Sequence, residues 1–422
     1  MRTLIKHAVI NGRCQDILIQ DGQIQKIARG IETAADEEIN AQGATAIPGL
    51  IDVHVHFREP GLTYKETIET GSHAAAHGGF TTVMTMPNVK PVVDTVDKVA
   101  AQVALNQENS LVKIAQYGAL SADLVGQGAA DLKAMARAGA MAFSNDGHGV
   151  QDAQTMLEAM RAAKAADRVI SAHLEDDSLI QGGVINAGPT ADRLGLPGMT
   201  GLSESTQLAR DLVMAKETGV RYHVAHISTK ESVAQVRLAK QMGLNVTAEV
   251  SPHHLFLDDG MIESDNPMFK MNPPLRSKED RLTLIAGLLD GTIDMIATDH
   301  APHSQEEKAG SMHDCSFGIV GLETAFPLVY THFVKSGLVD LETALKWLVQ
   351  KPKEVFGLEN AGELLVGDQA DIALLDLIHP YQIDPERFES KGKNTPFTGQ
   401  EVYGKVLKTF VDGNLVYQAK KE

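Results

Sequence analysis

Residues 48–61 read PGLIDVHVHFREPG, a stretch that is apolar enough for a buried strand yet carries His54, His56, Arg58 and Glu59. Imidazoles and a guanidinium lose hydration in an apolar interior, so each must find a partner elsewhere in the chain. Side chains two residues apart on a strand project to the same side, so His54 and His56 can hold one ion together. Further runs open apolar and close on a polar residue: Asn88 ends FTTVMTMPN, Asp146 ends GAMAFSND, His173 falls late in VISAHLED, His226 in YHVAHIS, and Asp299 in IDMIATDH. Neutral imidazoles and carboxylates suit Zn²⁺ and related divalent ions. Four histidines and two aspartates are more than one tetrahedral ion needs. They suit two ions about 3.5–4 Å apart with a bridging group. A hydroxide held between such ions would be the nucleophile, and a carboxylate beside it would move the proton. Arg58 next to these ligands predicts an anionic substrate, because a guanidinium meets a carboxylate as a planar fork.

Something must bring these residues to one place. The apolar, β-branched runs alternate with Ala-, Leu- and charge-rich segments of helical period, such as ETIETGSHAAAHGG, DTVDKVAAQVALNQ, DAQTMLEAMRAAKAA and ESVAQVRLAKQMG. That alternation implies parallel strands joined by crossovers. The eight runs are 50–57, 80–88, 113–120, 139–146, 169–176, 222–228, 245–254 and 293–300, enough for an α/β fold of the (β/α)₈, TIM-like barrel type. In such a barrel catalytic groups come from the C-terminal ends of several strands, where the candidates fall. Two helix starts carry capping-box patterns, Ser228-x-x-Glu231 and Ser277-x-x-Asp280. At the two ends of the chain, short apolar runs separated by Asn-Gly and Asp-Gly read as hairpins. Residues 1–47 and 355–422 are expected to form one small β-sandwich domain, enclosing a barrel over 48–354.

Composition sets outer limits. Among 422 residues, 38 Lys and Arg face 55 Asp and Glu, and the formal charge of -17 argues against nucleic acid or a membrane surface as partner. No apolar run reaches membrane-spanning length, the opening residues lack a signal-peptide core, and the two cysteines suggest neither a staple nor a Cys-based metal knot. A reducing cytoplasm is the expected location. His7, His73, His77, His148, His223 and His332 are read as structural, and His253, His254 and His300 as ambiguous. The charged, glycine-containing segment 304–318 is a candidate lid.

Taken together, PGLIDVHVHFREPG, TMPN, FSNDG, AHLED, VAHIST, EVSPHH, NPPLR, ATDHAPH, FGIVGLET and NTPFTG resemble the amidohydrolase superfamily, and within it the longer, class I dihydroorotases. The resemblance runs nearly end to end. It implies reversible, zinc-dependent closure of N-carbamoyl-L-aspartate to dihydroorotate plus water, a step of pyrimidine synthesis. It implies that His54, His56 and Asp299 hold one zinc, that His173 and His226 hold a second, and that Asp146 bridges them. Asp299 would also shuttle the proton. Arg58, Asn88 and His303, with His56, would bind the substrate carboxylate, and Asn272 and the backbone at Phe317–Gly318 would contact the ring. A homodimer and association with aspartate transcarbamoylase are further implications. Many superfamily members bridge their metals with a carboxylated lysine on the fourth strand. GAMAFSND has none, so Asp146 must serve, and the second ion would be held more weakly. Allantoinases and hydantoinases share the HxH, but Arg58 and the missing lysine argue against them. A silent scaffold related to dihydroorotases would have lost ligands that are all present here.

Overall fold

The frame of the molecule is a ring of eight short parallel strands, Leu50–Val55, Phe80–Thr85, Lys113–Gly118, Ala140–Phe143, Val169–Ala172, Arg221–Val224, Val246–Val250 and Met295–Ile296, paired in chain order. In this computed structural model, which describes residues 2–358 and 363–420, every residue of the first, second and fifth of these strands is buried. That is the outcome for a parallel sheet with helices outside and packed side chains within. The last strand is only two residues long, so its seam with the first needs other bonds. His56 donates its backbone N–H to the His300 carbonyl at 2.9 Å, and the buried Asp52 carboxylate accepts the Thr298 N–H at 3.2 Å. These bonds close the barrel next to the chemically interesting residues.

Helix starts follow local capping chemistry. Thr67 accepts from the Thr70 N–H at 3.1 Å, and Asp152 from the Thr155 N–H at 2.8 Å, to begin Ile68–His77 and Ala153–Ala165. The expected capping box at Ser277 forms, with Asp280 reciprocating. The one expected at Ser228 does not. Its hydroxyl is taken by the buried Glu204 carboxylate and by Arg276 Nε, so the cap moves one residue on, and Thr229 accepts from Ser232 N–H at the start of Lys230–Gln241.

A second eight-stranded sheet uses both ends of the chain. Arg2–Ile10, Arg13–Gln20, Gln23–Ala28, Glu37–Asn40 and Thr45–Pro48 combine with Ile372–Asp376, Lys405–Val411 and Asn414–Gln418, the two groups joining where Thr45–Pro48 pairs antiparallel with Ile372–Asp376. Its tight turns are the Asn-Gly and Asp-Gly pairs at 11–12, 21–22 and 412–413, where both residues take positive φ, from 47° to 84°. That is the twist a two-residue hairpin needs. Ile5, Ile17, Ile19, Ile24, Ile372 and Phe410 give this sheet an apolar core of its own. Residues 359–362 and 421–422 of the segment expected here lie outside the described residues.

The strands stop earlier than the apolar runs suggest. His56, Asn88, Asp146, His173, His226 and Asp299 each lie one to three residues past the last residue of their strand; of the HxH pair only His54 is inside one. Three residues at this rim take left-handed backbone: Arg58 (φ 42°), His226 (φ 31°) and Asp299 (φ 49°). For residues with a Cβ this conformation costs about 1–3 kcal/mol, and it is found where a side chain must be re-aimed.

Candidate active site

The rim brings the six expected ligands together. His54, His56, Asp146, His173, His226 and Asp299 are all buried, none more than 4% exposed. His54, His56 and Asp299 form one three-ligand set, and His54, Asp146 and His226 form another, each with its donor atoms within 4.8 Å of one another. His54 is therefore common to both. His173 stands beside the second set, its Nδ1 2.9 Å from His226 Nε2 and 3.6 Å from Asp146 Oδ1. The three residues expected around the first ion lie together, whereas of those expected around the second, Asp146 and His226 group with His54 and His173 stands beside them.

The hydrogen bonds decide which ring nitrogens face inward. His54 Nδ1 lies 2.6 Å from Glu249 Oε1, and since a carboxylate only accepts, Nδ1 carries the proton. On the neutral ring Nε2 of His54 is then a bare lone pair, yet it faces Asp146 Oδ1 at 3.2 Å and Asp299 Oδ1 at 3.4 Å, so it calls for a proton or a metal ion. His56 repeats the pattern. Nδ1 meets the Asn88 amide oxygen at 2.9 Å, and Nε2 faces Asp299 Oδ1 at 3.1 Å and Asp146 Oδ2 at 3.3 Å. Lone pairs directed at one another in a dry interior repel unless positive charge lies between them. His54 Nε2, Asp146 Oδ1, His173 Nε2 and His226 Nδ1 are buried atoms without a hydrogen-bond partner among the described residues. An imidazole and carboxylate set of this kind, with orphaned lone pairs converging, fits divalent cations.

The electrostatics agree. Burial opposes charge on Asp146, but His54, His173 and His226 outweigh it and hold the carboxyl well below its usual range. Burial likewise opposes charge on Asp299, and His54 and His56 overcome it. On His54 burial favours the neutral ring, yet Asp146, Asp299 and Glu249 pull its pKa well upward. The cluster calls for cationic charge among its imidazoles.

Around these ligands stand the residues expected to hold substrate. Arg58 donates Nε to the Pro302 carbonyl at 3.3 Å; its terminal nitrogens have no hydrogen-bond partner among the described residues. His303 offers an unpartnered Nε2, while its Nδ1 lies 3.2 Å from Glu307 Oε2 and 3.4 Å from Lys65 Nζ. Burial, with the charges of Arg58 and Lys65, lowers His303 to about 3, so the ring is neutral. It presents Nε2–H when Lys65 donates to Nδ1. Asn272 donates Nδ2 to Glu175 Oε2 at 2.6 Å and leaves its buried Oδ1 without a partner.

Two expected contacts are differently employed. Asn88 uses its oxygen on His56 and its nitrogen on the Asp146 carbonyl at 3.3 Å, so it orients a ligand ring. Gly318 donates its N–H to Lys270 O at 3.0 Å, and its carbonyl accepts from Lys308 Nζ and Asn394 Nδ2. A Cβ at Gly318 would stand 2.6 Å from the Ala301 carbonyl, which, with φ at 154°, explains the glycine. Phe317 has no backbone hydrogen bond among the described residues, and its ring packs under Lys270 Nζ at 4.3 Å. Segment 304–318 is anchored by two lysines: Lys308 Nζ reaches the carbonyls of Lys270, Ser316 and Gly318, and Lys270 Nζ those of His313 and Cys315.

Several contributors were not legible in the sequence. Glu249 lies inside an apolar run, and only its partner His54, far away in the chain, gives it meaning. His223, read as structural, bonds Glu249 Oε2 at 3.0 Å. Asn394, from the closing NTPFTG, accepts the His303 N–H at 3.1 Å and donates to the Ala301 carbonyl at 2.9 Å, fixing the loop after Asp299.

The chain is similar to known proteins over its whole length. The model of the dihydro-orotase-like family matches residues 43–232. The chain is 56% identical to a dihydroorotase of Ligilactobacillus salivarius, over 100% of both chains. It is 55% identical to a dihydroorotase of Lactobacillus leichmannii, over 96% of this chain and 95% of that one. Among solved structures, the L-hydantoinase (dihydropyrimidinase) from Arthrobacter aurescens superposes with a TM-score of 0.88 at 28% identity, covering 99% of this chain and 96% of its own.

Proposed function

This chain belongs to the dihydroorotase family, and we propose that it catalyses the reversible closure of N-carbamoyl-L-aspartate to dihydroorotate with release of water. The observation that carries the reading is the pair of ligand sets sharing His54, with the guanidinium of Arg58 beside them.

A divalent metal belongs to the activity, and zinc, two ions per chain, is the proposed identity. His54, His56 and Asp299 would hold one ion, and Asp146, His173 and His226 the other, with His54 within reach of both. When bound, such ions polarise the ring amide carbonyl and lower the pKa of water. The rest falls to the chain. Arg58 pairs with the carboxylate on the ring, and His303 Nε2 adds a second donor to the same group in the tautomer in which Lys65 donates to Nδ1. Asn272 Oδ1 accepts from a ring N–H, and the free Phe317 backbone meets the ring amide edge. Asp299 moves the proton. In ring opening its carboxylate takes a proton from the attacking water and delivers it to the departing ring nitrogen as the C–N bond breaks. In ring closure the amide nitrogen of the carbamoyl group attacks the carboxyl carbon, and Asp299 returns the proton to the oxygen that leaves as water. The left-handed backbone at Asp299 aims this carboxylate inward.

Family membership extends the proposal to a homodimer, to association with aspartate transcarbamoylase and to a cytoplasmic location. Among the described residues no helix is long and apolar enough to cross a membrane.

The test is a substrate panel. The purified chain is expected to open dihydroorotate at least 100-fold more efficiently than hydantoin or allantoin. Preference for either uncharged ring would move the assignment to a hydantoinase or an allantoinase.

A further inference from the structure

Glu249 is a fully buried acid in the seventh barrel strand, and the reaction above makes no direct use of it. Its two oxygens are divided between two histidines. Oε1 meets His54 Nδ1 at 2.6 Å and also accepts the His226 backbone N–H at 3.3 Å. Oε2 meets His223 Nε2 at 3.0 Å. His223 is itself fixed, its Nδ1 lying 2.7 Å from Thr247 Oγ1. A chain of contacts thus runs from Thr247 through His223 and Glu249 to His54, all but the first of its side chains almost wholly buried.

We propose that Glu249 is the positioning residue of the metal centre: it fixes His54 as an Nε2 donor and raises its basicity, and His223 and Thr247 hold Glu249 in place. The inference rests on the metal reading given above. With Nδ1 protonated, Nε2 is the one lone pair His54 can give, so Glu249 acts on the ion that His54 would share with His56 and Asp299. Asn88 stands behind His56 as a neutral amide, its oxygen 2.9 Å from Nδ1 and its nitrogen on the Asp146 carbonyl at 3.3 Å, whereas Glu249 stands behind His54 as a carboxylate. A carboxylate behind a ligating imidazole increases metal affinity about 10- to 100-fold.

Glu249→Gln is the decisive variant, since the amide keeps the shape of the side chain. Its oxygen still accepts from His54 Nδ1, and its NH₂ faces a His223 ring that can change tautomer to accept it. Zn²⁺ affinities of the metal-free protein are measured by competition with a chromophoric chelator, alongside its thermal unfolding without metal. The expected result is a metal-free unfolding temperature within a few degrees of wild type, with the Zn²⁺ affinity of the position that includes His54 reduced about 10-fold or more. Wild-type affinities at both positions in Glu249→Gln would overturn the proposal. If that variant does not fold, His223→Gln supplies the measurement, with a several-fold loss at that position expected and no loss contradicting it. Should the wild type take up no Zn²⁺ at all, the metal reading itself fails, which is a different result from wild-type affinity in the variant.

Discussion

At Asp299 three demands meet in one side chain. It is a ligand in the first set, it lies 3.1 Å from His56 Nε2, and it is the group proposed to carry the proton. An amide at this position keeps the size and loses both the charge and the basicity. Asp299→Asn is expected to lower kcat for dihydroorotate opening by about 10²–10⁴-fold, the range for removing a general base, in steady-state assays with saturating Zn²⁺. Activity within a few-fold of wild type would remove Asp299 from the proton path. Arg58 answers a different question, that of substrate charge. Hydrogen bonds to charged groups contribute about 1.5–3 kcal/mol, so Arg58→Met is expected to reduce kcat/KM for dihydroorotate about 10- to 100-fold. Dihydrouracil has the same ring without the carboxylate. The informative quantity is the ratio of kcat/KM for the two substrates, which should collapse in the variant. An unchanged ratio would place the carboxylate elsewhere.

At the scale of elements, the site depends on how each strand ends. The apolar runs continue to the ligands in the sequence, but the ladder stops before them, because a residue that must turn toward a shared point cannot keep extended geometry. Positive φ at Arg58, His226 and Asp299 is the local record of that turn. Helix-to-strand packing has its own electrostatic signature at Asp211. This acid, on Leu202–Thr218, accepts from Tyr222 OH at 2.7 Å, on the neighbouring strand, and from Arg210 Nε at 2.8 Å. Burial raises its pKa to about 6, against the opposing effects of Arg210 and Tyr222. The folded state therefore binds more protons than the unfolded state between about pH 4 and 6, and stability falls as pH rises through that window. Asp211→Asn does not titrate. Its unfolding temperature relative to wild type is expected to rise from pH 4 to pH 7, corresponding to on the order of 2–3 kcal/mol. A difference independent of pH would show that Asp211 ionises normally.

At the scale of the whole molecule, the barrel and the sheet drawn from both chain ends were legible because their signals are local. Strand and helix periods alternate, Asn-Gly and Asp-Gly mark hairpins, and each expected ligand closes an apolar run. What stayed hidden depends on tertiary contact. Glu249 reads as an ordinary acid in a strand until His54 and His223 come to either side of it. Ser228 reads as a cap until Glu204 claims its hydroxyl. Asn88 reads as a substrate contact, whereas its oxygen is turned to His56. The central claim concerns all of these residues together: ligand atoms from six places in the chain converge on divalent ions, and turnover depends on them. The most direct measurement follows dihydroorotate opening while bound metal is removed with a chelator and then restored as Zn²⁺, with metal content determined at each step. Activity should fall in proportion to the metal lost and return on its addition. Undiminished turnover by metal-free protein would contradict the account.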